Sequence, residues 1–368
     1  TPNFDTLEQI VKSEISQELV AKIVLDTIKQ VKDAPFEGTQ FVQEKALKFC
    51  KQQELQKAMD KAQKIITEGD FESYDKVESL VREALQVGER ETGMIDIFSN
   101  LDTVLDEDFR HPIPIGIPGI DRLLKGGLAK GEIGVILAPT GVGKTTILTK
   151  IANTAFNLGY NVLQIFFEDN PKIVQRKHFT LWTGIEPDNL VQHKVEVMAK
   201  ITEIQETMKN ELILQKLPSD TMTMNQIKNQ VRKMIADGTK IDLILLDYID
   251  CVVPESSSKD EWKAEGSVMR GFEAMCHELS LVGWTATQGN RSSISSDVVT
   301  TDQMGGSIKK AQVGHVIITV AKSLQQKEMN LATIAITKSR IGKDGVVFEN
   351  CKFNNELLEI DTESSVTF

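Results

Sequence analysis

The stretch Ile133–Thr146, IGVILAPTGVGKTT, carries the residues whose types and spacing point most directly to chemistry. An apolar run precedes a loop rich in Gly and Pro, and a segment with helical periodicity follows it. Glycines let backbone N–H groups turn inward around phosphate oxygens, and the positive end of the helix strengthens this anion site. In such a loop Lys144 reaches the β- and γ-phosphates, and the Thr145 hydroxyl holds Mg²⁺. The sequence therefore predicts a site for ATP and Mg²⁺, with nucleotide-binding residues Pro139, Thr140, Gly141, Val142, Gly143, Lys144, Thr145 and Thr146.

Two other apolar runs each end in a carboxylate. KIDLILLD ends at Asp247, and NVLQIFFE ends at Glu168. A buried parallel strand delivers its last side chain to the sheet edge where the phosphate loop lies. Asp247 can there hold Mg²⁺ through water, and Glu168 can act as the general base for the attacking water. Asp250 is the alternative to Asp247 and is more typical of a structural residue. Asp169 is the alternative base, although Asp169 or Asn170 also suits a helix cap.

A third apolar run, GWTATQGNR, ends in Gln288, an amide placed to detect the γ-phosphate and report it to the next loop. Residues 290–306 then form a long polar segment, which is usually functional or mobile inside a compact domain. Its cations and small residues suit contacts with a nucleic-acid backbone, and a plain surface loop is the alternative. The candidate DNA-binding residues are Arg291, Gly305, Gly306, Lys309 and Lys310.

The segment ITKSRIGKDG predicts a strand that turns into a hairpin, with Lys338 and Arg340 on the same face. Two cations on one face are typical of a solvated sheet edge. They also suit an arginine finger that reaches the γ-phosphate of a neighbouring subunit. The residues alone leave both interpretations open.

From Ile115 onward, apolar runs alternate with helical patterns, which predicts an α/β fold with a mostly parallel sheet covered on both faces. We expect strands at 133–138, 162–167, 242–247, 283–287, 315–320, 332–338 and 346–353. We expect helices at 119–124, 144–158, 171–182, 194–210, 223–237, 261–280 and 302–311. This P-loop core follows an all-α region with helices near 7–28, 39–67 and 73–87 and a linker helix over 94–108.

Three domains follow from these patterns. Residues 1–92 predict a partial N-terminal helical domain that packs against itself or a partner. Residues 93–112 predict a linker helix and a hinge. The helix follows from the spacing of apolar residues such as Met94, Ile97 and Leu101, and the hinge from the prolines and glycines that crowd HPIPIGIPG at 111–119. This helix is either a docking arm for a neighbouring subunit or a spacer. Residues 113–368 predict the ATPase domain.

Composition limits the classes of function. The 368 residues carry a net charge of −11, which argues against a uniformly basic nucleic-acid surface but not against a local basic channel. The four cysteines are isolated and the five histidines form no HExxH pattern, so we expect no zinc site and reduced, cytosolic thiols. No apolar run approaches the ~18 residues of a membrane span, and no signal peptide is evident. Since the chain begins at Thr1 rather than at methionine, we expect a longer protein.

Residues 111–360 resemble the RecA-like ATPase core of hexameric DnaB-type replicative DNA helicases, most of all the phage-encoded members. The resemblance is carried, in the family's order, by APTGVGKTT, FFEDNP, LILLDYID, ATQGNR, GGSIKKAQVGHVI and ITKSRIGKDG. It implies an ATP-dependent homo-hexameric ring that translocates on single-stranded DNA and unwinds the duplex at the replication fork. It also implies a primase and a helicase loader as partners, in the cytoplasm of a bacterium or of a phage-infected host. The implied site roles are base for Glu168, Mg²⁺-associated carboxylate for Asp247, γ-phosphate sensor for Gln288, and action in trans for Lys338 and Arg340.

The chain departs from this family at two places. Ala138 stands where the phosphate loop usually begins with glycine. The stretch before G-S-I, which in the family carries an arginine and a glutamate for DNA, reads Asp302-Gln303-Met304-Gly305, so backbone amides or Lys309 and Lys310 are the expected substitutes. Residues 115–146 also resemble RadA- and KaiC-like ATPases, which keeps a role in recombination or regulation as the alternative. A non-catalytic nucleotide-binding scaffold is a third class, against which Glu168, Asp247 and Gln288 argue.

Overall fold

The computed structural model describes residues 39–68, 110–255, 261–289 and 312–363, with single positions at 24, 25, 77, 81, 84, 97 and 105. The chain divides into two compact units, residues 1–104 and 105–368. In the first unit, helix α1 (Thr39–Glu68) confirms the helix expected over 39–67. The helices expected over 7–28, 73–87 and 94–108 lie largely outside the described residues. Among the described residues, no helix combines the length and the apolar character that crossing a membrane requires.

A nine-stranded sheet forms the centre of the second unit within the described part of the chain. Its strands are β1 (Ile133–Ala138), β2 (Val162–Phe166), β3 (Leu212–Lys216), β4 (Leu243–Asp247), β5 (Val282–Gln288), β6 (Val316–Ala321), β7 (Leu331–Ser339), β8 (Val346–Asn354) and β9 (Glu359–Asp361). They lie in the order β3-β2-β4-β5-β1-β6-β7-β8-β9. Strands β1 to β6 pair in parallel, whereas β7, β8 and β9 are added antiparallel. The sheet is mostly parallel, as the alternation of apolar runs and helices predicts.

Helices cover both faces of this sheet. They are α2 (Pro118–Leu123), α3 (Lys144–Asn157), α4 (Pro171–Thr183), α5 (Lys194–Thr207), α6 (Met224–Ala236), α7 (Glu261–Glu278) and α8 (Leu324–Glu328). On one face Ile136 of β1 packs with Ile151 of α3. On the other, Val135 of β1 packs with Val231 of α6 and Phe272 of α7. Successive β1 side chains thus enter opposite apolar layers, which is why the whole strand reads as an apolar run.

All seven strands expected from the sequence are present within about two residues of their predicted ends. The sequence analysis missed β3, β9 and the short helix α8. Strand β3 lies at the edge of the sheet with four of its five residues half-buried, so it lacks the continuous apolar run of the central strands. The helix expected to reach residue 210 ends at Thr207, ahead of this strand. The helix expected over 302–311 lies outside the described residues.

The segment from Arg110 to Ile117 is held against the core of the second unit by hydrogen bonds and apolar packing. Arg110 donates to the Gly127 carbonyl (3.2 Å) and to Glu132 Oε2 (2.7 Å). The Asp121 carboxylate then accepts hydrogen bonds from three successive backbone N–H groups, those of residues 115–117, at 2.7 to 3.1 Å. Alternate isoleucines of this segment are buried in the core, at positions 113, 115 and 117. Burial raises the pKa of Asp121, and the three backbone hydrogen bonds oppose that rise.

A buried histidine makes the stability of this unit depend on pH. His178 of α4 is 1% exposed, and its Nε2 lies 3.0 Å from Gln164 Oε1 on β2. Burial, with a smaller contribution from the Lys177 charge, lowers the pKa of His178 to about 3. The folded ring therefore stays neutral, whereas the unfolded ring takes up a proton below about pH 6.5. The stabilisation is complete above that pH and is lost as the pH falls toward the folded-state value.

We expect this residue to remove about 2 kcal/mol from the free energy of unfolding between about pH 7 and pH 5. Denaturant titrations at the two pH values measure the difference. His178→Gln should show a pH difference smaller by about that amount, and His193→Gln, a change at an exposed ring, should keep it. An unchanged pH difference in His178→Gln would refute this assignment.

Candidate functional site

The loop between β1 and α3 has a backbone that glycine makes possible. Gly141 has φ +74° and Gly143 has φ +124°, a region that other residues rarely adopt. Gly143 is the N-cap of α3, so the first turn of the helix opens directly onto the loop. A loop of this shape before a helix N-terminus is a phosphate-binding geometry.

The loop borders a cavity of about 350 Å³ at the carboxyl ends of the parallel strands. Residues from β2, β4 and β5, from the segments after them and from the turn after β8 line its other walls. The lining residues are Thr140, Gly141, Gly143, Lys144, Thr145, Thr146, Phe166, Glu168, Asp169, Lys177, Asp247, Tyr248, Gln288 and Asn355. Six of the eight predicted loop residues thus meet Glu168, Asp247 and Gln288 in one cavity. Pro139 and Val142 are not among the residues that line it, and Val142 is buried in the core instead.

Lys144 and Asp247 form the charged centre of this cavity. Lys144 Nζ donates to the carbonyls of Ala138 (3.3 Å) and Pro139 (3.5 Å). Burial lowers the pKa of Lys144, and the charges of Asp247, Asp250 and Glu168 oppose that shift. Burial also raises the pKa of Asp247 to about 6, although the Thr145 hydroxyl donates a hydrogen bond that favours the ionised form. A cation bound beside such a buried carboxylate would favour its charged form.

The Thr145 hydroxyl and the Asp247 carboxylate supply the oxygen ligands that Mg²⁺ prefers. No cluster of three or more His, Cys, Asp or Glu side chains suited to a metal occurs among the described residues. Magnesium commonly takes only one or two protein ligands and completes its shell with water and nucleotide phosphates. The donor set therefore fits a nucleotide-bound Mg²⁺.

Glu168 lies just after β2 and is positioned by two neighbours. The Tyr248 hydroxyl donates to Glu168 Oε1 at 3.2 Å. Lys216 Nζ donates to the backbone carbonyls of Glu168 (3.1 Å) and Asp169 (3.0 Å). The Asp169 carboxylate is paired with Lys177 at 3.1 Å, so of the two acids Glu168 is the one held by a neutral hydroxyl. Asn170 Oδ1 accepts from the Lys172 N–H and caps α4, as its place before Pro171 predicts.

Gln288 connects the end of β5 to the phosphate loop. Its Nε2 donates to Thr140 Oγ1 at 2.7 Å, and its backbone N–H donates to Asp250 Oδ2 at 2.9 Å. The Thr287 hydroxyl lies 2.9 Å from both Asp250 oxygens. Asp250 thus holds β5 in place, which agrees with its interpretation as a structural residue.

The hairpin cations lie away from this cavity in the same subunit. Lys338 Nζ donates to the carbonyls of Gln312 (2.8 Å) and Gly314 (2.7 Å), and Arg340 donates to the same Gln312 carbonyl at 2.7 Å. Both therefore point to one side of the β7–β8 hairpin, and neither is among the described residues that line the cavity. Burial, followed by the nearby Arg340 charge, lowers the pKa of Lys338 to about 8.

Five candidate DNA-binding residues lie outside the described residues, namely Arg291, Gly305, Gly306, Lys309 and Lys310. Four cavity residues were missed by the sequence analysis, namely Phe166 at the end of β2, Lys177, Tyr248 and Asn355. Tyr248 directly follows Asp247, and Lys177 lies on α4, so adjacency to the carboxylates could have suggested both. Asn355 has no local signal, because only the fold brings it to the phosphate loop.

Comparisons with known proteins agree with this geometry. Residues 112–361 match the DnaB-like helicase C terminal domain family. The whole chain aligns with the DnaB-like replicative helicase of Enterobacteria phage T4 at 20% identity over 398 residues, covering 82% of that protein. DNA repair protein RadA of Mycobacterium tuberculosis aligns at 26% identity over 88 residues, which cover 24% of this chain and 18% of RadA.

Two solved structures share the fold. One, described as an ATPase domain, superposes with a TM-score of 0.58 at 17% identity, covering 70% of this chain and 92% of that one. A DnaB-like replicative helicase, solved in a study of its interactions with primase, superposes with a TM-score of 0.67 at 16% identity. That match covers 98% of this chain and 87% of the helicase chain.

Proposed function

Because this chain belongs to the DnaB-like helicase family, we propose that it forms a hexameric ring that moves along single-stranded DNA at the replication fork. The chain is an NTP-hydrolysing, DnaB-like replicative DNA helicase with a RecA-like ATPase fold. The observation that carries the proposal is the meeting of the phosphate loop, Glu168, Asp247 and Gln288 in one cavity. A nucleotide-binding scaffold would have no use for a base and a sensor beside the loop.

The proposed chemistry within one subunit follows from these positions. Lys144 and the loop N–H groups bind the β- and γ-phosphates of ATP. Thr145 and Asp247 would hold Mg²⁺, and the ion would neutralise charge on the phosphates. Glu168 accepts the proton of the attacking water, and Tyr248 keeps its carboxylate in place. Gln288 joins the loop through Thr140 and precedes residues 290–311, so a change at the γ-phosphate is passed to that segment.

Lys338 and Arg340 are proposed to complete the site of a neighbouring subunit. Their distance from the cavity of their own subunit leaves them suited to a cavity in trans. Both hold the carbonyl of Gln312, the first described residue after the polar segment. Release of phosphate from the cavity of the neighbouring subunit would therefore act on residues 290–311, the segment that also follows Gln288. We propose that this segment contacts the DNA strand through Arg291, Gly305, Gly306, Lys309 and Lys310.

The domain plan and the partners complete the proposal. Residues 1–92 act as a partial collar, residues 93–112 as the linker helix and hinge, and residues 113–368 as the motor. A structural neighbour was solved in a study of its interactions with primase, which supports a primase partner here. We also propose a helicase loader and a site of action in the cytoplasm of a bacterium or a phage-infected host.

A RadA-like role in recombination is the second candidate, since part of the chain aligns with RadA. The helicase is better supported, because the phage T4 helicase aligns along the whole chain and RadA along only 24% of it. Electron microscopy with nucleotide and forked DNA separates the two. Closed six-membered rings support the helicase, and open filaments support the recombination ATPase.

The decisive experiment is strand displacement on a forked duplex with Mg-ATP. We expect the native chain to displace the strand and Lys144→Ala to lose this activity, because the β- and γ-phosphates lose their cation. Lys209→Ala, a change at an exposed lysine outside the cavity, is the matched control and should remain active. Unwinding by Lys144→Ala at the native rate would exclude the ATP-driven mechanism.

A further inference from the structure

The turn between β8 and β9 reaches the phosphate loop. Asn355 is the first residue of this turn and lines the nucleotide cavity. Its Oδ1 accepts a hydrogen bond from the buried Thr146 hydroxyl at 3.1 Å. A Cβ at Gly143 would lie 2.5 Å from the same oxygen and 2.7 Å from the Phe353 ring. The absence of a side chain at Gly143 is thus what allows this turn to approach the loop.

The turn offers Asn355 a rigid support. Asn354 Oδ1 accepts from the backbone N–H groups of Glu356 (2.8 Å) and Leu357 (3.1 Å), which closes the turn. Phe353 is fully buried, and Lys322 Nζ donates to its carbonyl at 3.0 Å and lies 3.9 Å from its ring centre. A polar side chain at a fixed place in a ligand cavity is suited to orienting the ligand.

The order of the strands tells which end of the nucleotide meets this turn. Glu168 follows β2, and Asp247 and Gln288 are the last residues of β4 and β5. These three strands lie on one side of β1. The proposed roles of Glu168 and Gln288 put the γ-phosphate on that side, beside the base and the sensor. Strands β6 to β9 lie on the other side of β1, so Asn355 enters the cavity from the end opposite to the γ-phosphate. Along α3, Lys144 serves the β- and γ-phosphates, and Thr146, the partner of Asn355, lies half a turn farther.

We propose that Asn355 is a further nucleotide-binding residue, which binds the ribose of the nucleotide and so extends the site from a phosphate site to a nucleoside site. The inference rests on the proposed function. The Asn355 Oδ1 is engaged by Thr146, which leaves the amide N–H₂ as a donor, and the oxygens of a ribose are acceptors. In this arrangement the Thr146 hydroxyl sets the orientation of the amide.

Two ligands that differ in the nucleoside test the proposal. Calorimetry measures the binding of Mg-ADP and of Mg-tripolyphosphate, which has phosphates but no sugar, to the full chain. Asn355→Ala should raise the Kd of ADP about 3- to 10-fold, the effect of one lost hydrogen bond, and change the Kd of tripolyphosphate less than about twofold. Glu356→Ala, a change at an exposed neighbour in the same turn, should leave both values as they are.

The other outcomes overturn the proposal. An equal rise in the Kd of both ligands would show that Asn355 only supports the phosphate loop, through its hydrogen bond with Thr146. An unchanged Kd for ADP would remove it from the site altogether. If Asn355→Ala fails to fold, Asn355→Ser, whose side chain is too short to span the same distance, is measured with the same expectation. One result would reject this inference alone: Asn355→Ala binds ADP normally, while strand displacement still depends on Lys144. A native chain that binds neither ligand would reject the proposed function as well.

Discussion

Replacing Glu168 by glutamine is expected to lower kcat for ATP hydrolysis by about 10²- to 10⁴-fold, the usual contribution of a general base. The amide cannot accept the proton of the attacking water. It still accepts the hydrogen bond that Tyr248 donates to Glu168 Oε1, so the local structure is kept. The phosphate loop is untouched, and the Kd of ATP should therefore change little. Steady-state hydrolysis and equilibrium binding of ATP together measure the two effects.

Asp169→Asn is the informative control, because Asp169 is the adjacent carboxylate and lines the same cavity. Its side chain is paired with Lys177. We therefore expect Asp169→Asn to lower kcat by a much smaller factor than Glu168→Gln does. The reverse ranking of the two variants would transfer the role of base to Asp169. A Glu168→Gln protein with native kcat would show that no side-chain base at this position limits hydrolysis.

Replacing Arg340 by alanine is expected to lower kcat by about 10³- to 10⁵-fold, the range of an arginine finger. The loss should occur although Arg340 lies away from the cavity of its own subunit and donates to the Gln312 carbonyl. The physical reason is that the charge developing on the γ-phosphate would lose a cation supplied by the next subunit. Lys343→Ala, an exposed lysine in the same hairpin, should keep its activity and serves as the matched control.

Mixing two inactive variants tests the action in trans directly. An Arg340→Ala subunit keeps a native Glu168, and a Glu168→Gln subunit keeps a native Arg340. At an interface where the Arg340→Ala subunit supplies the cavity and the Glu168→Gln subunit supplies Arg340, all catalytic groups are native. The mixture should therefore regain the ATP hydrolysis that neither variant shows alone. A mixture as inactive as its components would contradict the proposal, because a finger acting within its own subunit cannot be restored by a partner.

Much of the fold and part of the site could be predicted from the sequence for a local reason. Strand β1, the loop and α3 are consecutive in the chain. The apolar run, the glycines and the helical periodicity that predict them therefore lie within one short stretch of sequence. Asp247 and Glu168 end buried runs, and parallel strand ends meet at one edge, so their proximity follows from topology. Strand β3 escaped prediction because an edge strand is only half-buried and needs no continuous apolar run.

Asn355 shows why the remainder of the site could not be predicted. It is separated from its partner Thr146 by 209 positions, and no pattern near it differs from an ordinary turn. The hairpin cations pose a different problem. Their shared side of the hairpin follows from their spacing, and both do contact one carbonyl, but their target is expected on another chain.

The segment that enters the second unit has a mechanical consequence. From Arg110 onward the chain is bound by an ion pair, by the Asp121 carboxylate and by buried isoleucines. A force applied to the backbone at Arg110 is therefore transmitted to the apolar core that packs on the sheet and on the helix after the phosphate loop.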